Sequence, residues 1–394
     1  MSKRYQGGIL GAGFNPLQAP DAPTSVTAAA GDASAAVSFT APSNVGGSAI
    51  TGYTVGSNPG GIGATGSASP ITVSGLTNGT AYTFNVWALN SYGPSPAGGP
   101  SGSVTPALQR GLFGGGSTGS NSNVIDYINI ASAANAIDFG DLTVARSNVG
   151  ACASTTRGVF GGGNTSGNTI DYVTIATVGN AIDFGDLLSS TRWPMSCSSA
   201  TRGVFGGGYI AAATSAIQYI TIASTGNAIS FGNLTVARYR GASAASPTRG
   251  LFAGGINGAG SQVSTIDYVT IDTTGNAISF GNLSSVWSDL GGASSSTRAI
   301  FGGGAVPSAT NSLVFVTIAT TGNSTTFGQL TQARTGLAGC SSPTRAVFGG
   351  GNIGVLVNTI DFVIIDTTGN ATDFGDLTVA REELGATSNC HGGL

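Results

Sequence analysis

Apolar and polar residues alternate along this chain in short runs, and the runs recur. Residues 35–39, 50–55, 71–73 and 81–88 place an apolar side chain at roughly every second position, with Gly46-Gly47, Asn58-Pro59 and Asn78-Gly79 between them. A period of two interrupted by turn residues predicts half-buried β-strands. From residue 107 a single unit repeats. An apolar strand ending in glycines, as in Arg157-Gly-Val-Phe-Gly-Gly-Gly163, leads into a polar segment, an alternation at 170–175, a Gly179-Asn180 turn and a second alternation at 181–187. Copies begin at Arg110, Arg157, Arg202, Arg249, Arg298 and Arg345. A repeat of this length with strand content predicts stacked or radial β units.

Two details favour a ring. Repeats two to six are each preceded by a strand-like piece such as residues 142–156. The first repeat lacks one, and a spare copy at 377–389 follows the last. An open solenoid needs atypical capping repeats at its ends, whereas in a ring the C-terminal strand, 381–394, completes the first unit and removes the free edges. The expected fold is all-β, with an N-terminal arm over 1–19, a β-sandwich over 20–106 and a six-bladed β-propeller over 107–394.

Two resemblances support that division. Pro20-Asp-Ala-Pro23, Gly52-Tyr-Thr-Val55, the run at 75–84 and Ala88-Leu-Asn-Ser-Tyr-Gly93 make residues 20–106 similar to fibronectin type III domains, with Phe39 where that family places a core Trp. That resemblance implies a spacer or a binding platform, and the fold alone does not choose between them. The repeats resemble the Kelch family through Gly161-Gly162, Tyr172 or Phe184, and Arg192. They depart from it in carrying Phe184, Phe231, Phe280, Phe327 and Phe374 where the fourth strand of that family has Trp.

Composition narrows the chemistry. Only 8% of the 394 residues are charged while 40% are apolar, a combination opposite to that of disordered chains. A net charge of −3 gives no electrostatic case for nucleic acid or anionic membrane. No apolar run reaches the length of a membrane-spanning helix, and residues 1–10 lack the apolar core of a secretion signal. His391 is the one histidine, and Glu382 and Glu383 are the only glutamates. A Ser-His-Asp triad or a copper site has too few residues to draw on, so no catalytic residue, metal or cofactor is expected. The pairs Asp138/Asp141, Asp183/Asp186 and Asp373/Asp376 recur at one repeat position, where other copies carry Ser230/Asn233 and Ser279/Asn282. They read as turn residues, with a calcium site and a catalytic pair as the alternatives.

Cys152, Cys197 and Cys340 occupy matching places and read as small buried side chains. The Gly-Gly-Gly runs lack the Lys-Ser/Thr of a phosphate loop and suit close backbone packing. Two arginine ladders, 110/157/202/249/298/345 and 146/192/238/334/381, recur once per unit. They suit pairing with neighbouring Asp or strand-end carbonyls, the alternative being a ring that binds anions.

Two loops vary among the copies, those at 117–123, 164–168, 209–215, 256–265, 305–312 and 352–358, and those around 192–195, 238–240 and 287–289. Strands alternating up and down bring both sets to one propeller face, gathering Trp193, Tyr209, Tyr239, Arg240, Trp287 and Asp289. Exposed aromatics beside Arg and Asp suit stacking on sugars or docking a protein, the alternative being loops that drift without a ligand.

The combination, with its Gly-Gly-Ile-Leu…Phe-Asn-Pro-Leu start, resembles structural proteins of tailed bacteriophages, especially of marine and cyanobacterial hosts. That resemblance implies a virion location, attachment to other virion proteins through residues 1–106, and an outward propeller binding host-surface glycan or receptor. In the arm, Tyr5, Ile9, Leu10, Phe14 and Leu17 are the candidate attachment residues. Fibre proteins of this kind are often homo-oligomers, including trimers. A capsid-decorating fibre or scaffold is the second expectation, and a polysaccharide-cleaving enzyme the third.

Overall fold

A computed structural model describes residues 17–394, and its chain divides into two compact units, one running to Leu108 and one from Gln109. All regular structure among the described residues is β.

The first unit holds two antiparallel sheets. One joins Thr24–Gly31, Ser34–Thr40 and Ile71–Ser74; the other joins Gly63–Gly66, Gly52–Asn58, Thr83–Asn90 and Gly93–Pro94. Their alternating side chains meet in one core of Ala35, Val37, Phe39, Tyr53, Val55, Phe84 and Val86, as period-two burial requires. Phe39 stacks within that core, 4.7 Å from the Tyr53 ring.

The second unit consists of six four-stranded antiparallel sheets, one per repeat, plus a two-residue pairing of Arg238–Tyr239 with Ile256–Asn257. In the second sheet, Gly150–Ala153, Arg157–Gly161, Thr169–Thr174 and Ile182–Asp186 pair in chain order. The first sheet takes its leading strand from the far end of the chain: Gly385–Ser388 runs antiparallel to Arg110–Gly114, with Gly385 opposite Gly114. Second strands read as continuous apolar runs because both of their faces are covered. Val159 and Phe160 are both fully buried, and Phe160 lies against Gly114 of the preceding sheet, where a Cβ would come within 2.6 Å of the ring. Gly161, Gly206 and Gly349 allow the same approach by Phe205, Phe252 and Phe113.

Three sets of bonds tie each sheet to the next. Arg157 Nη1 donates to Ile222 O at 2.9 Å while its guanidinium lies 4.6 Å from the Tyr172 ring centre, and Arg110, Arg202, Arg249, Arg298 and Arg345 repeat the pattern. The Gly179-Asn180 turn clasps the outer strand of the preceding sheet: Gly179 N donates to Phe139 O, Ala181 N to Asp141 O, and Asp141 N to Asn180 Oδ1. Gly140 faces this turn, and a Cβ there would meet the Gly179 carbonyl at 2.6 Å. The clasp explains why the Gly-Asn turns hardly vary, and it covers edge strands that would otherwise invite pairing.

The third set is ionic. Arg146–Asp171, Arg238–Asp267, Arg334–Asp361 and Arg381–Asp126 are ion pairs of 2.8–3.0 Å in which both side chains are fully buried. Each Asp also accepts from a Thr hydroxyl, as in Thr143 to Asp171. Each Arg donates to a second-strand carbonyl, as in Arg146 to Phe160 O. Burial lowers the pKa of these arginines, opposed by the neighbouring carboxylate. The expected pairing with neighbouring Asp and carbonyls is thus observed, with one correction. Arg192 is not a member of this ladder. Thr191 holds its place, and Gln218 stands where the partner Asp would be, its Oε1 accepting from Leu188 N. At the sixth place Trp287 replaces the Arg and Val314 the Asp, both within one apolar cluster.

The last sheet is bonded to the first in all three ways: Arg345 to Ile130 O at 2.9 Å, Asp376 N to Asn135 Oδ1 at 3.1 Å, and Arg381 to Asp126 at 3.0 Å. The Asp138/Asp141, Asp183/Asp186 and Asp373/Asp376 pairs do not lie in turns as expected. They sit within the fourth strands, flanking a bulge at Gly140, Gly185 and Gly375 that lets the neighbour's turn approach.

Removing one member of a buried pair leaves an uncompensated charge, worth about 3–5 kcal/mol. Asp267→Ala is expected to lose that much stability in urea denaturation. The double change Arg238→Trp with Asp267→Val, which copies the 287/314 pair, is expected to lose clearly less. Equal losses would show that the pair is not what holds this junction.

Candidate functional site

Two residues beyond each ladder position, the loop after a fourth strand adopts a left-handed backbone. The six positions are Asn148 (φ 64°), Trp193 (51°), Arg240 (60°), Asp289 (56°), Gly336 (66°) and Glu383 (55°). Only one is glycine, although that region penalises any residue with a Cβ. At five of the six the amide bonds to the preceding repeat. Asn148 N donates to Glu383 O, Trp193 N to Asn148 O, Asp289 N to Arg240 O, Gly336 N to Asp289 O and Glu383 N to Gly336 O, at 2.7–3.0 Å.

These residues form the rim of a cavity of about 140 Å³ whose wall is the small residues of the leading strands. Ala151, Ser196, Ser243, Gly292, Gly339 and Ala386 also line a second space of about 50 Å³. Serine hydroxyls bond neighbouring leading strands across this wall, as Ser196 Oγ does to Ala151 O and Ser388 Oγ to Ser341 O.

His391 closes the second space. Its Nε2 lies 3.1 Å from both Ala153 O and Ser198 Oγ, and its Nδ1 accepts from Gly393 N at 3.0 Å. Gly393 N can only donate, so the bonding pattern assigns the ring proton to Nε2 and keeps the imidazole neutral. Burial pushes its pKa down to about 4, opposed by the Ala153 carbonyl.

At the rim the side chains differ in every repeat. The Trp193 ring centre is 5.6 Å from Tyr239, which is 5.1 Å from Tyr209. Arg192 lies 5.2 Å from the Tyr209 ring centre and 5.5 Å from that of Trp193, and Arg240 covers Trp193 at 4.3 Å. Arg240 also bonds Asp289 at 3.0 Å and Glu383 at 3.3 Å. Burial raises the Glu383 pKa; Arg240 opposes this, while Glu382 and Asp289 add to it. The Trp193 indole N–H favours the charged form of Glu383, yet it closes no hydrogen bond of normal geometry. Asn148 Oδ1 is likewise buried without a partner.

The structure therefore brings together Trp193, Tyr209, Tyr239, Arg240 and Asp289, all half-buried around one opening. Trp287 does not join them. It is 2% exposed, and its Nε1 donates to Gly303 O inside the core. The reading of Trp287 as an exposed aromatic is corrected by its ladder position, where it fills the space an Arg takes elsewhere. Asn148, Glu382 and Glu383 belong to the site and are not site candidates from the sequence, and Arg192 belongs to it rather than to the ladder. Aligning the copies on the ladder position would have exposed the rim column. Of the candidate attachment residues, Tyr5, Ile9, Leu10 and Phe14 lie outside the described residues, and Leu17 is 65% exposed.

Cys152, Cys197 and Cys340 are buried free thiols, as their matching places suggested. Burial raises all three pKa values, that of Cys197 to about 12, so none is a ready nucleophile. Among the described residues no group of three or more His, Cys, Asp or Glu is placed to hold a metal ion.

Trp287→Ala is expected to lower stability by about 3–5 kcal/mol, the range for a buried large aromatic, measured by urea denaturation; a loss under 1 kcal/mol would contradict its core placement. For His391, the native pKa of about 4 lies below the unfolded value of ~6.5. Its contribution is therefore fully present above pH ~6.5 and is lost as the pH falls toward 4. Between pH 7 and 4, the melting temperature of His391→Asn should fall less than that of the wild type. Parallel pH profiles would refute a neutral buried His391.

Residues 21–103 match the family model of the fibronectin type III domain. No curated protein matches the chain. With the two packed sheets described above, that segment is a fibronectin type III domain.

Proposed function

We propose that the six sheets are the blades of a Kelch-like β-propeller closed by Gly385–Ser388. In this reading the protein is a bacteriophage virion component, a tail-fibre or appendage adhesin that binds host-surface glycan without cleaving it. Residues 1–106 attach it to other virion proteins, and the assembled form is a homo-oligomer. Closure is supported by the bonds from the last sheet to the first, including Asn148 N to Glu383 O at 2.8 Å.

The binding role rests on one observation above all. Trp193 lines the cavity and Tyr239 and Tyr209 extend from it beside Arg192 and Arg240, on loops whose sequences differ from blade to blade. Aromatic faces bordered by charged hydrogen-bonding groups suit the mixed apolar and hydroxylated surface of sugars. The nearest approach to a catalytic dyad, His391 with Ser198, is engaged structurally. The Ser198 hydroxyl already donates to Ala153 O, and the imidazole is held by Ala153 O and Gly393 N.

A second reading, a capsid-decorating or scaffold protein, draws on a different feature. Ile137, Ile182, Ile229 and Ile278 hold the same fourth-strand place in four consecutive blades and are 57–60% exposed. Such a row suits contact with a protein neighbour.

The purified chain should bind polysaccharide from host cells on a glycan array. Trp193→Gly, which keeps the left-handed backbone, should weaken binding at least tenfold without changing the melting temperature. Absence of any glycan binding, together with electron microscopy of particles placing the cavity mouth against virion neighbours, would replace the adhesin reading by the scaffold one.

A further inference from the structure

We propose that the cavity framed by Asn148, Trp193, Arg240, Asp289, Gly336 and Glu383 takes the terminal residue of a non-acidic glycan end-on, rather than a stretch of chain lying across the loops. This rests on the glycan-binding reading above and specifies its ligand.

The first argument is size and shape. A cavity of about 140 Å³ is smaller than the ~300–1,000 Å³ typical of pockets for drug-sized ligands. It narrows at Ala151, Ser196, Ser243, Gly292, Gly339 and Ala386, which also line the second space of only about 50 Å³ beside His391. A cavity that narrows in this way suits a chain end better than a continuous strand.

The second argument is unsatisfied hydrogen bonding. The buried Asn148 Oδ1 is an acceptor without a donor, and the buried Trp193 Nε1–H, though it faces Glu383, closes no hydrogen bond of normal geometry. Leaving buried polar groups unpaired is unfavourable. A sugar hydroxyl is donor and acceptor at once, so a single ring with adjacent hydroxyls answers both. The small apolar walls, such as Ala338 and Leu337, suit its C–H faces.

The third argument is charge. Arg240, Asp289 and Glu383 are the charged residues lining the cavity, one cation against two anions. The cation is already held by both carboxylates, at 3.0 and 3.3 Å. Inside the cavity, an incoming uronate or sialate carboxylate would meet two like charges and a guanidinium already paired with them. Neutral hexoses and N-acetylhexosamines meet no such repulsion.

The test uses the full chain and NMR of its three tryptophan indole N–H groups, with the Trp193 signal assigned by its loss in Trp193→Gly. Methyl glycosides of glucose, galactose, mannose and N-acetylglucosamine, and methyl glucuronide, are titrated separately. The expected result is that at least one neutral glycoside shifts the Trp193 indole signal while those of Trp87 and Trp287 stay. Methyl glucuronide should bind at least tenfold more weakly. Asn148→Gly, which retains the left-handed backbone, should weaken the neutral glycoside about tenfold. If host polysaccharide binds but no monosaccharide glycoside moves the Trp193 signal, or if glucuronide binds as well as the neutral sugars, end-on recognition is wrong while the adhesin reading stands. If no saccharide of any length binds, both fall.

Discussion

A charge taken out of water must find its counter-charge, and in the repeat unit that requirement is met between sheets. Arg238 is fully buried, so its guanidinium is tolerable only with Asp267 at 2.8 Å and the Phe252 carbonyl at 3.0 Å. Because the Arg follows one fourth strand and the Asp sits in the third strand of the next sheet, the pair sets where the two sheets meet. The Asn clasp and the outer arginines then act at other depths of the same junction. The leading strands, freed of large side chains, come close enough for serine hydroxyls to bridge them, and the rim cavity is the space they leave.

The exceptions clarify the rule. Where Trp287 and Val314 replace the ion pair, the same volume is filled by apolar atoms and the fourth strand runs on to Trp287. Replacement of a buried pair by packed hydrophobic residues is physically permitted, and this molecule carries both solutions side by side. Thr191 with Gln218 is a third, smaller and uncharged.

Much of the architecture was legible in the chain. The period-two runs marked the strands of both units, the spare copy at 377–389 anticipated the pairing of Gly385–Ser388 with Arg110–Gly114, and the matching cysteines were recognised as buried. What escaped was correlation between distant columns. Leu-Thr-Val-Ala-Arg at 142–146 and 234–238 goes with Ile-Asp in the following copy, whereas Leu-Ser-Ser-Val-Trp at 283–287 goes with Leu-Val at 313–314. A single copy hides that link because the partners lie on different strands, and this is why Trp287 was read as surface and Arg192 as ladder. The rim was hidden for another reason. Left-handed geometry at Trp193 or Glu383 is imposed by a hydrogen bond to the neighbouring repeat, and residue type alone does not announce it.

The rim positions share a backbone requirement and nothing else, which separates the inheritance of shape from the inheritance of specificity. Replacing one left-handed residue by another leaves the amide girdle in place, since the bond runs through main-chain atoms and the strain differs little among unbranched side chains. Asn, Trp, Arg, Asp, Gly and Glu already occupy the six places, and β-branched residues are the most disfavoured there. The side chains thus vary on a constant main-chain frame, with Arg240 coupled to Trp193, Asp289 and Glu383 by its own contacts. Single substitutions at these places can therefore change the chemistry of the cavity rim while the main-chain frame barely registers them.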